Sequence, residues 1–221
     1  MSDSSRRVAV IGSGISGLSV AHALAGEARV TLFEAGSYFG GHTHTVDITL
    51  EGQTHGVDTG FLVFNERTYP KLIASFGELQ VPTALSDMSF SVQVPDIGLE
   101  WSGSDLNTVF AQRSNLVRPA FWRMLRDLMR FNRLATALAE HGTAHEQQQA
   151  IGDFLSENRF SAEFRDWYFL PMIGCIWSCP TDQMLRFPIA TMIRFCHNHG
   201  LIQVTNRPRW YTVQGGARQY V

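Results

Sequence analysis

The first 34 residues alternate between short apolar runs and one helical pattern. Apolar, partly β-branched runs at 7–11 and 29–33 predict two strands, and apolar and small residues at helical spacing predict a helix over Ile15–Ala25. Strand, tight turn, helix and strand within about thirty residues form a βαβ unit, which pairs its strands in parallel through a right-handed crossover. Apolar strands of this kind are expected to be buried on both faces.

The rest of the chain predicts hairpins first and helices afterwards. Two hairpins are predicted, one at Val46–Leu50 and Gln53–Val57, the other at Ser89–Val94 and Leu99–Trp101. Helices are predicted over Pro70–Leu79, Leu106–Arg113, Pro119–His141, Ala150–Asn158 and Ala162–Phe169. Gly200–Val213 again has strand-like composition, and a helix is predicted to begin after Gly215-Gly216.

These elements predict an α/β fold with three parts. Residues 1–66 form a Rossmann-like nucleotide-binding part with a parallel sheet, and residues 67–200 form a mostly helical substrate domain. Residues 201–221 return toward the first part. The 221-residue chain is 44% hydrophobic and has a formal net charge of -2, which gives no general attraction to nucleic acid.

Cysteine usage favours a reducing compartment, so we predict a cytoplasmic protein. Cys175, Cys179 and Cys196 are odd in number, which argues against a disulfide framework. With His197 and His199 they could be soft metal ligands, but their spacing matches no familiar zinc pattern, and we predict thiols without a metal. The apolar run after Arg6-Arg7 resembles a targeting signal, but three glycines interrupt it, and no run reaches the ~18 apolar residues of a membrane span.

The glycine pattern between the first strand and the first helix predicts a dinucleotide site. Gly12 permits a tight turn, Gly14 lets a phosphate approach the backbone, and Gly17 lets the helix pack on the strand. The helix then directs its free amides and positive dipole end at a pyrophosphate. Glu34 closes the second strand twenty residues after Gly14, where a carboxylate can accept ribose hydroxyls and disfavours a 2′-phosphate.

Two further glycine positions suit close contact with a bulky cofactor. Gly40-Gly41 follow Glu34 by six residues, and Gly60 follows the hairpin in Asp58-Thr59-Gly60-Phe61. With these motifs the chain resembles the flavin-containing amine oxidase, phytoene desaturase and protoporphyrinogen oxidase superfamily, and within it a bacterial group labelled "NAD/FAD-binding protein". The resemblance extends to the segments Phe110-Ala-Gln-Arg, Pro119-Ala-Phe-Trp-Arg, Pro171-Met-Ile-Gly-Cys and Thr212-Val-Gln-Gly-Gly.

This resemblance implies an FAD site at named positions. The glycine-rich turn would hold the pyrophosphate, Glu34 the adenosine ribose, and the loop at 40–42 would flank the pyrophosphate and flavin. Residues 58–61 would lie near the isoalloxazine. The predicted cofactor-binding residues are Gly12, Ser13, Gly14, Ile15, Ser16, Gly17, Glu34, Ala35, Gly40, Gly41, His42, Asp58, Thr59, Gly60 and Phe61.

The sequence departs from the family pattern in two ways. The usual arginine after the glycine pair is His42, which makes a fixed positive charge conditional. Family members are about twice as long, and their later part supplies an adenine-contacting strand and a Gly-Asp motif for the ribityl and flavin. Neither is found here, so we expect an N-terminal portion of the family fold.

No catalytic residue is assigned from the sequence. His42 and His44 are candidates for proton transfer, with loop hydrogen bonding or phosphate contact as the favoured alternative. Trp177, Cys175 and Arg186 are candidates for lining a substrate cavity, although core packing is favoured for the first two. The arginines of Pro119–His141 suit either a solvated face or contact with an anionic bilayer, and the solvated face is favoured.

The predicted activity is FAD-dependent oxidoreduction of a small molecule, with hydride removal from a C–N or C–C bond, including bonds of lipid-like substrates. Two alternatives stay open. One is a flavin-dependent isomerase or mutase without net redox change, and the other is a non-catalytic dinucleotide-binding fragment. The amine oxidase label does not by itself establish an amine substrate.

Overall fold

The computed structural model describes residues 6–143, 146, 148–177, 180–203 and 207–221, which form two compact units. Unit 1 contains the chain up to Asp87 together with Arg209–Val221, and unit 2 is Met88–Pro208. The division falls after Asp87 and not after residue 66 as the sequence pattern suggested. Residues 67–87 stay in unit 1 because a strand within them pairs with Trp210–Val213.

Unit 1 begins with the predicted βαβ arrangement. Its elements are β1 (Arg7–Ile11), α1 (Ile15–Leu24), β2 (Arg29–Phe33), β3 (Thr45–Leu50), β4 (Gln53–Asp58), β5 (Phe64–Asn65), α2 (Pro70–Glu78), β6 (Thr83–Ser86) and, after unit 2, β9 (Trp210–Val213). β1 and β2 pair in parallel from Arg7 opposite Arg29 to Ile11 opposite Phe33. β3 and β4 form the predicted antiparallel hairpin.

The expectation that β1 is buried on both faces is wrong for the described chain. Val10 is its one buried residue, whereas Ile11 is 80% exposed and Phe33 in β2 is 51% exposed. The sheet of β1 and β2 has two strands, and α1, which has no buried residue, covers it incompletely. Two strands and one helix therefore leave apolar surface open to solvent.

A second sheet in unit 1 joins distant parts of the sequence. β9 lies between β5 and β6 and is antiparallel to both. Phe64, Phe76 and Val213 form the buried core beside this sheet, with Phe61 and Tyr220 packed against it. β6, which has only four residues and weak alternation, was missed by the sequence pattern.

Unit 2 combines a hairpin with a helical core. Its elements are β7 (Ser91–Val94), β8 (Leu99–Ser102), α3 (Leu106–Val109), α4 (Pro119–His141), α5 (Ile151–Glu157), α6 (Ala162–Phe164), α7 (Leu170–Trp177), α8 (Thr181–Met184) and α9 (Ile189–Asn198). The hairpin and the bounds of α4 agree with the sequence prediction.

Two predicted helices in unit 2 differ from the structure. The helix predicted over Leu106–Arg113 ends at Val109, and a 3-10 turn follows at Arg113–Val117, where the buried Asn115 side chain donates to Glu100 O. The helix predicted over Ala162–Phe169 continues through a π-helical turn into α7.

The strand-like run from Gly200 is not a strand at its start. Gly200 has φ of +68° and Leu201 N donates to Cys196 O, so this segment closes the carboxyl end of α9. Only Trp210–Val213 is a strand, and residues 204–206 lie outside the described part of the chain.

The core of unit 2 is aromatic and centres on α4. Phe121, Met124 and Phe131 on this helix are fully buried. The Phe131 ring lies 5.3–6.3 Å from four other phenylalanine rings, those of Phe154, Phe160, Phe164 and Phe169. Among the described residues, no helix is both long enough and apolar enough to cross a bilayer.

Phe131→Ala tests whether this aromatic cluster holds unit 2 together. Because the ring is fully buried, we expect a loss of about 4 kcal/mol in the free energy of unfolding, measured by urea titration with tryptophan fluorescence. Met129→Ala is the control on the same helix, since Met129 is 55% exposed, and should change this free energy by less than about 0.5 kcal/mol. Equal effects of the two substitutions would contradict this description of the core.

A candidate dinucleotide-binding site

The glycine-rich turn after β1 has the backbone geometry that the pattern of Gly12, Gly14 and Gly17 requires, and we call this pattern the fingerprint. Gly12 has φ of +93° and donates its amide to Phe33 O at 2.7 Å, which joins the turn to the end of β2. A Cβ atom at Gly17 would overlap the carbonyl of Gly12. Gly17 is therefore needed for the first turn of α1 to pack on the loop.

The opposite side of the turn is open. A Cβ atom at Gly12 or at Gly14 would meet no heavy atom within 4 Å. Gly14 is the N-cap of α1, no side chain caps the helix, and no acidic residue lies in its first turn. The first amides of a helix have no acceptor within the helix and carry the positive end of its dipole. This surface is thus shaped and charged to receive an anion.

Glu34 lies directly against this turn. Its Oε2 atom accepts the backbone amide of Ser13 at 2.8 Å and also the Ser13 hydroxyl, while Oε1 accepts the amide of Gly36 at 2.7 Å. Ser13 is fully buried. The carboxylate that closes β2 is therefore oriented toward the loop between β1 and α1, as the fingerprint predicts.

These hydrogen bonds keep Glu34 ionised. The Ser13 hydroxyl, then the Gly36 and Ser13 amides, lower the pKa of Glu34 to about 2. Each donor favours the charged carboxylate over the neutral acid. A fixed negative charge therefore lies beside the turn at any physiological pH.

The glycine pair at 40–41 packs against the same turn. Gly40 has φ of +114° and donates its amide to Ser13 O at 3.0 Å, and it forms an isolated parallel bridge with Gly14. A Cβ atom at Gly41, whose φ is +60°, would lie 3.1 Å from the Cα atom of Gly14. The sequence predicts that this glycine pair approaches a cofactor closely, and in the structure its close contact is with the loop between β1 and α1.

Residues 58–61 join the site through the backbone of the 40–44 loop. Phe61 N donates to His42 O at 2.8 Å, and a Cβ atom at Gly60 would overlap that carbonyl. Asp58 Oδ1 accepts the Thr45 hydroxyl at 2.6 Å and the Ala217 amide at 2.8 Å, and Phe61 packs on the small core of unit 1. These residues hold the loop in place, and their position near a flavin stays a prediction.

The two histidines differ in their surroundings. His44 Nδ1 lies 2.7 Å from Thr59 Oγ1, and its ring centroid is 4.3 Å from that of Tyr38. His42 is exposed and lies immediately after Gly41. The contacts of His44 are those of loop hydrogen bonding, whereas the side chain of His42 remains accessible.

The last residues of the chain contribute contacts that the sequence did not reveal. Arg218 makes two hydrogen bonds to the Asp47 carboxylate, at 2.6 and 2.8 Å, and thereby lowers the pKa of Asp47. The hydroxyls of Tyr220 and Thr43 lie 3.0 Å apart. Both pairs join residues more than 170 positions apart in sequence, so no local pattern could indicate them.

Unit 2 contains a separate apolar cavity of about 260 Å³. Of the three candidates from the sequence, Trp177, for which core packing was favoured, lines it, and Cys175 and Arg186 do not. Its lining residues are Ile151, Ile173, Trp177, Met184, Phe187, Thr191 and Met192. The cavity therefore suits an apolar group.

The cysteines form no metal site within the described ranges. Burial raises the pKa of the Cys196 thiol to about 12, and the exposed Cys175 donates to Met172 O. Cys179 lies outside the described residues. In the part of the chain that the structure describes, no three histidine, cysteine or acidic side chains come together as metal ligands.

Comparisons with known proteins agree with this geometry. Residues 10–79 match the NAD(P)-binding Rossmann-like domain family. A comparison with curated proteins found no match. Among solved structures, cyclohexylamine oxidase from Brevibacterium oxydans IH-35A is similar with 21% identity and a TM-score of 0.66, and putrescine oxidase bound to putrescine with 22% identity and a TM-score of 0.61. An oxidoreductase from Methanosarcina mazei has 14% identity and a TM-score of 0.56.

The fold thus defines a Rossmann-like dinucleotide-binding domain accompanied by a helical unit. More particularly, the fold of this chain is similar to that of about half of cyclohexylamine oxidase and of putrescine oxidase, in agreement with the fold that the predicted resemblance implies. Each of the three alignments covers 97% of this chain and 47% of the other, so the chain spans about half the length of those proteins.

Ser13→Ala tests how the Glu34 charge is fixed. Because the Ser13 hydroxyl is the largest cause of the lowered pKa, its loss should move the Glu34 titration upward from about 2 toward the ordinary value of 4.5. The ionised Glu34 contributes its full share of the free energy of unfolding above the pKa that this carboxyl has in the unfolded chain. This contribution is lost as the pH falls through the pKa of Glu34 in the folded protein. The variant should therefore lose it at a higher pH than the unmodified protein.

The measurement is carboxyl-carbon NMR of Glu34 between about pH 1 and pH 7, a range that includes both the lowered pKa of about 2 and the ordinary glutamate pKa. Ser16→Ala, an exposed serine in the same motif, is the control and should leave the titration unchanged. A midpoint unaffected by Ser13→Ala would contradict the assigned role of the hydroxyl.

Proposed function

We propose that this protein is an FAD-dependent oxidoreductase that removes a hydride from a C–N or C–C bond of a small molecule. The observation that carries the proposal is the open glycine turn with the Glu34 carboxylate held against it. The fold similarity to cyclohexylamine oxidase and putrescine oxidase supports oxidative chemistry of the amine oxidase kind.

The residues present fit the adenosine diphosphate part of such a cofactor. The space above Gly12 and Gly14 would accept phosphate oxygens, and the first amides of α1 would donate to them. A carboxylate accepts about four hydrogen bonds, and Glu34 Oε1 accepts the amide of Gly36. This oxygen therefore keeps acceptor capacity for a ribose hydroxyl.

Charge and loop packing favour FAD among the dinucleotides. The ionised Glu34 would repel the 2′-phosphate of an NADP-type ligand. The Gly40-Gly41 loop packs against Gly14 and so borders the same pocket, as the superfamily's Gly-Gly loop is expected to do beside a flavin. The exposed His42 would supply a conditional positive charge beside the phosphates when protonated.

Bound FAD would supply the hydride acceptor, and the protein would supply binding and orientation. The turn at 12–17 would fix the pyrophosphate, while the Asp58 contacts with Thr45 and Ala217 would keep the adjoining loop rigid. The apolar cavity in unit 2 favours a substrate that has an uncharged, apolar portion, including a lipid-like substrate. We keep the cytoplasm as the predicted location.

Gly14→Ala tests the proposed cofactor site without disturbing the fold. The added methyl meets no protein atom within 4 Å, so the free energy of unfolding should change by less than about 1 kcal/mol. The same methyl would occupy the position proposed for a phosphate. We expect FAD affinity, measured by quenching of flavin fluorescence, to fall at least tenfold, about the effect of one lost favourable contact.

Gly17→Ala is the matched variant on the protein side of the turn, since its methyl would overlap the Gly12 carbonyl. It should lower the unfolding temperature as well as FAD binding. Purified protein should be yellow, or should stay yellow after incubation with FAD and removal of the unbound cofactor, and should release FAD on denaturation. A colourless protein that refuses FAD would contradict the proposal, and one that binds NAD in its place would replace the flavin assignment.

A further inference from the structure

The exposed face of α4 mixes apolar and basic side chains. Trp122, Arg126, Met129 and Arg133 follow at spacings of four, three and four residues, so they form one stripe on the helix. Trp122 is 49% exposed and Met129 is 55% exposed, while the Arg126 side chain is 74% exposed. The sequence favours a solvated arginine face here, and in the structure Trp122 and Met129 are exposed on the same stripe as the arginines.

Exposed apolar residues continue from the start of this stripe. The Trp122 indole donates to Leu116 O at 2.9 Å, and its ring centroid is 5.2 Å from that of Phe110, the C-cap residue of α3. Val117 is 83% exposed, Leu116 is 47% exposed, and Leu106 at the start of α3 is 80% exposed. We call Leu106, Leu116, Val117, Trp122, Arg126, Met129 and Arg133 together the α4 surface.

The charge of this region is strongly positive although the whole chain is not. Residues 105–133 contain six arginines and two aspartates. Both aspartates have structural partners, because Asp105 caps α3 through the amide of Thr108 and the buried Asp127 accepts the amide of Ser161. Arg123 pairs with Glu163, and Arg126 Nε lies 4.0 Å from the buried Asp127 carboxylate while 74% of its side chain stays exposed.

We propose that the α4 surface binds the headgroup region of an anionic lipid bilayer. Tryptophan is enriched at that depth because its ring is apolar and its N–H is polar, and arginine heads remain at the phosphates while their stems cover apolar surface. Leu106 and Val117 are of the size that inserts below the headgroups. The charge complementarity selects an anionic membrane over a neutral one.

This inference is independent of the cofactor assignment, because none of its residues belongs to the nucleotide site. It is also compatible with the absence of a spanning helix among the described residues, since surface contact needs an amphipathic face only. An anionic membrane would place the protein where lipid-like molecules are concentrated.

The test is sedimentation of the full chain with vesicles of phosphatidylcholine alone or with about one third phosphatidylglycerol, a content that gives an anionic surface potential. We expect binding to the anionic vesicles only, and loss of most binding when salt rises from about 0.1 M to about 1 M. The double variant Arg126→Gln, Arg133→Gln should bind roughly 30-fold more weakly, or about fivefold for each arginine.

The matched control removes two charges elsewhere. Arg29 and Lys71 are both exposed in unit 1, and Arg29→Gln, Lys71→Gln should change binding by less than about twofold. Leu106→Ser, Val117→Ser should weaken binding at least tenfold, because two exposed apolar side chains would no longer be buried. Brominated lipids should quench protein fluorescence, and Trp122→Phe should remove most of that quenching.

Three results would overturn the proposal. The first is equal binding to neutral and anionic vesicles, and the second is an equal loss in the two charge variants. The third is no binding to either kind of vesicle. This outcome includes the case in which the α4 surface mediates association between copies of the chain. Such association would be detected as a sedimentation coefficient that rises with protein concentration and is lower in the Leu106→Ser, Val117→Ser variant. All variants should keep the helical circular dichroism of the unmodified protein.

Discussion

The pairing of Glu34 with Ser13 is the interaction on which the candidate site depends. It fastens the end of β2 to the turn between β1 and α1, and it does so through the amide and the hydroxyl of one buried residue. The turn must leave its outer amides free for a ligand, so it cannot be stabilised from that side. Hydrogen bonds on the protein side of the turn, one to the Glu34 carboxylate and one from the Gly40 amide, hold the open surface in its conformation.

The local part of this arrangement could be predicted from the sequence. Gly12, Gly14 and Gly17 act through backbone angles and close contacts with near neighbours, and Glu34 lies one βαβ unit away. The spacing of these residues along the chain is therefore enough to predict the turn and the position of Glu34. The bounds of α4 could be predicted for a similar reason, since Pro119 and the repeated apolar positions define the helix locally.

Long-range contacts could not be predicted in this way. β9 inserts between β5 and β6, and Arg218 pairs with Asp47, although more than a hundred residues separate the partners. Nor does the glycine pattern indicate what the hydroxyl of Ser13 contacts, which in the structure is the Glu34 carboxylate and the Gly40 amide. The exposure of Ile11 and Phe33 was also unexpected, because strand composition indicates apolar faces but not whether anything covers them.

The described residues account best for the adenosine diphosphate side of the proposed cofactor, so the most direct test uses that part alone. The measurement is a titration of the isotope-labelled full chain with ADP, followed by the backbone amide signals of Gly14, Ile15, Ser16 and Ala35. The account predicts saturable shifts concentrated at these four amides. Shifts confined to other regions, or none at millimolar ADP, the range of weak binding, would contradict it.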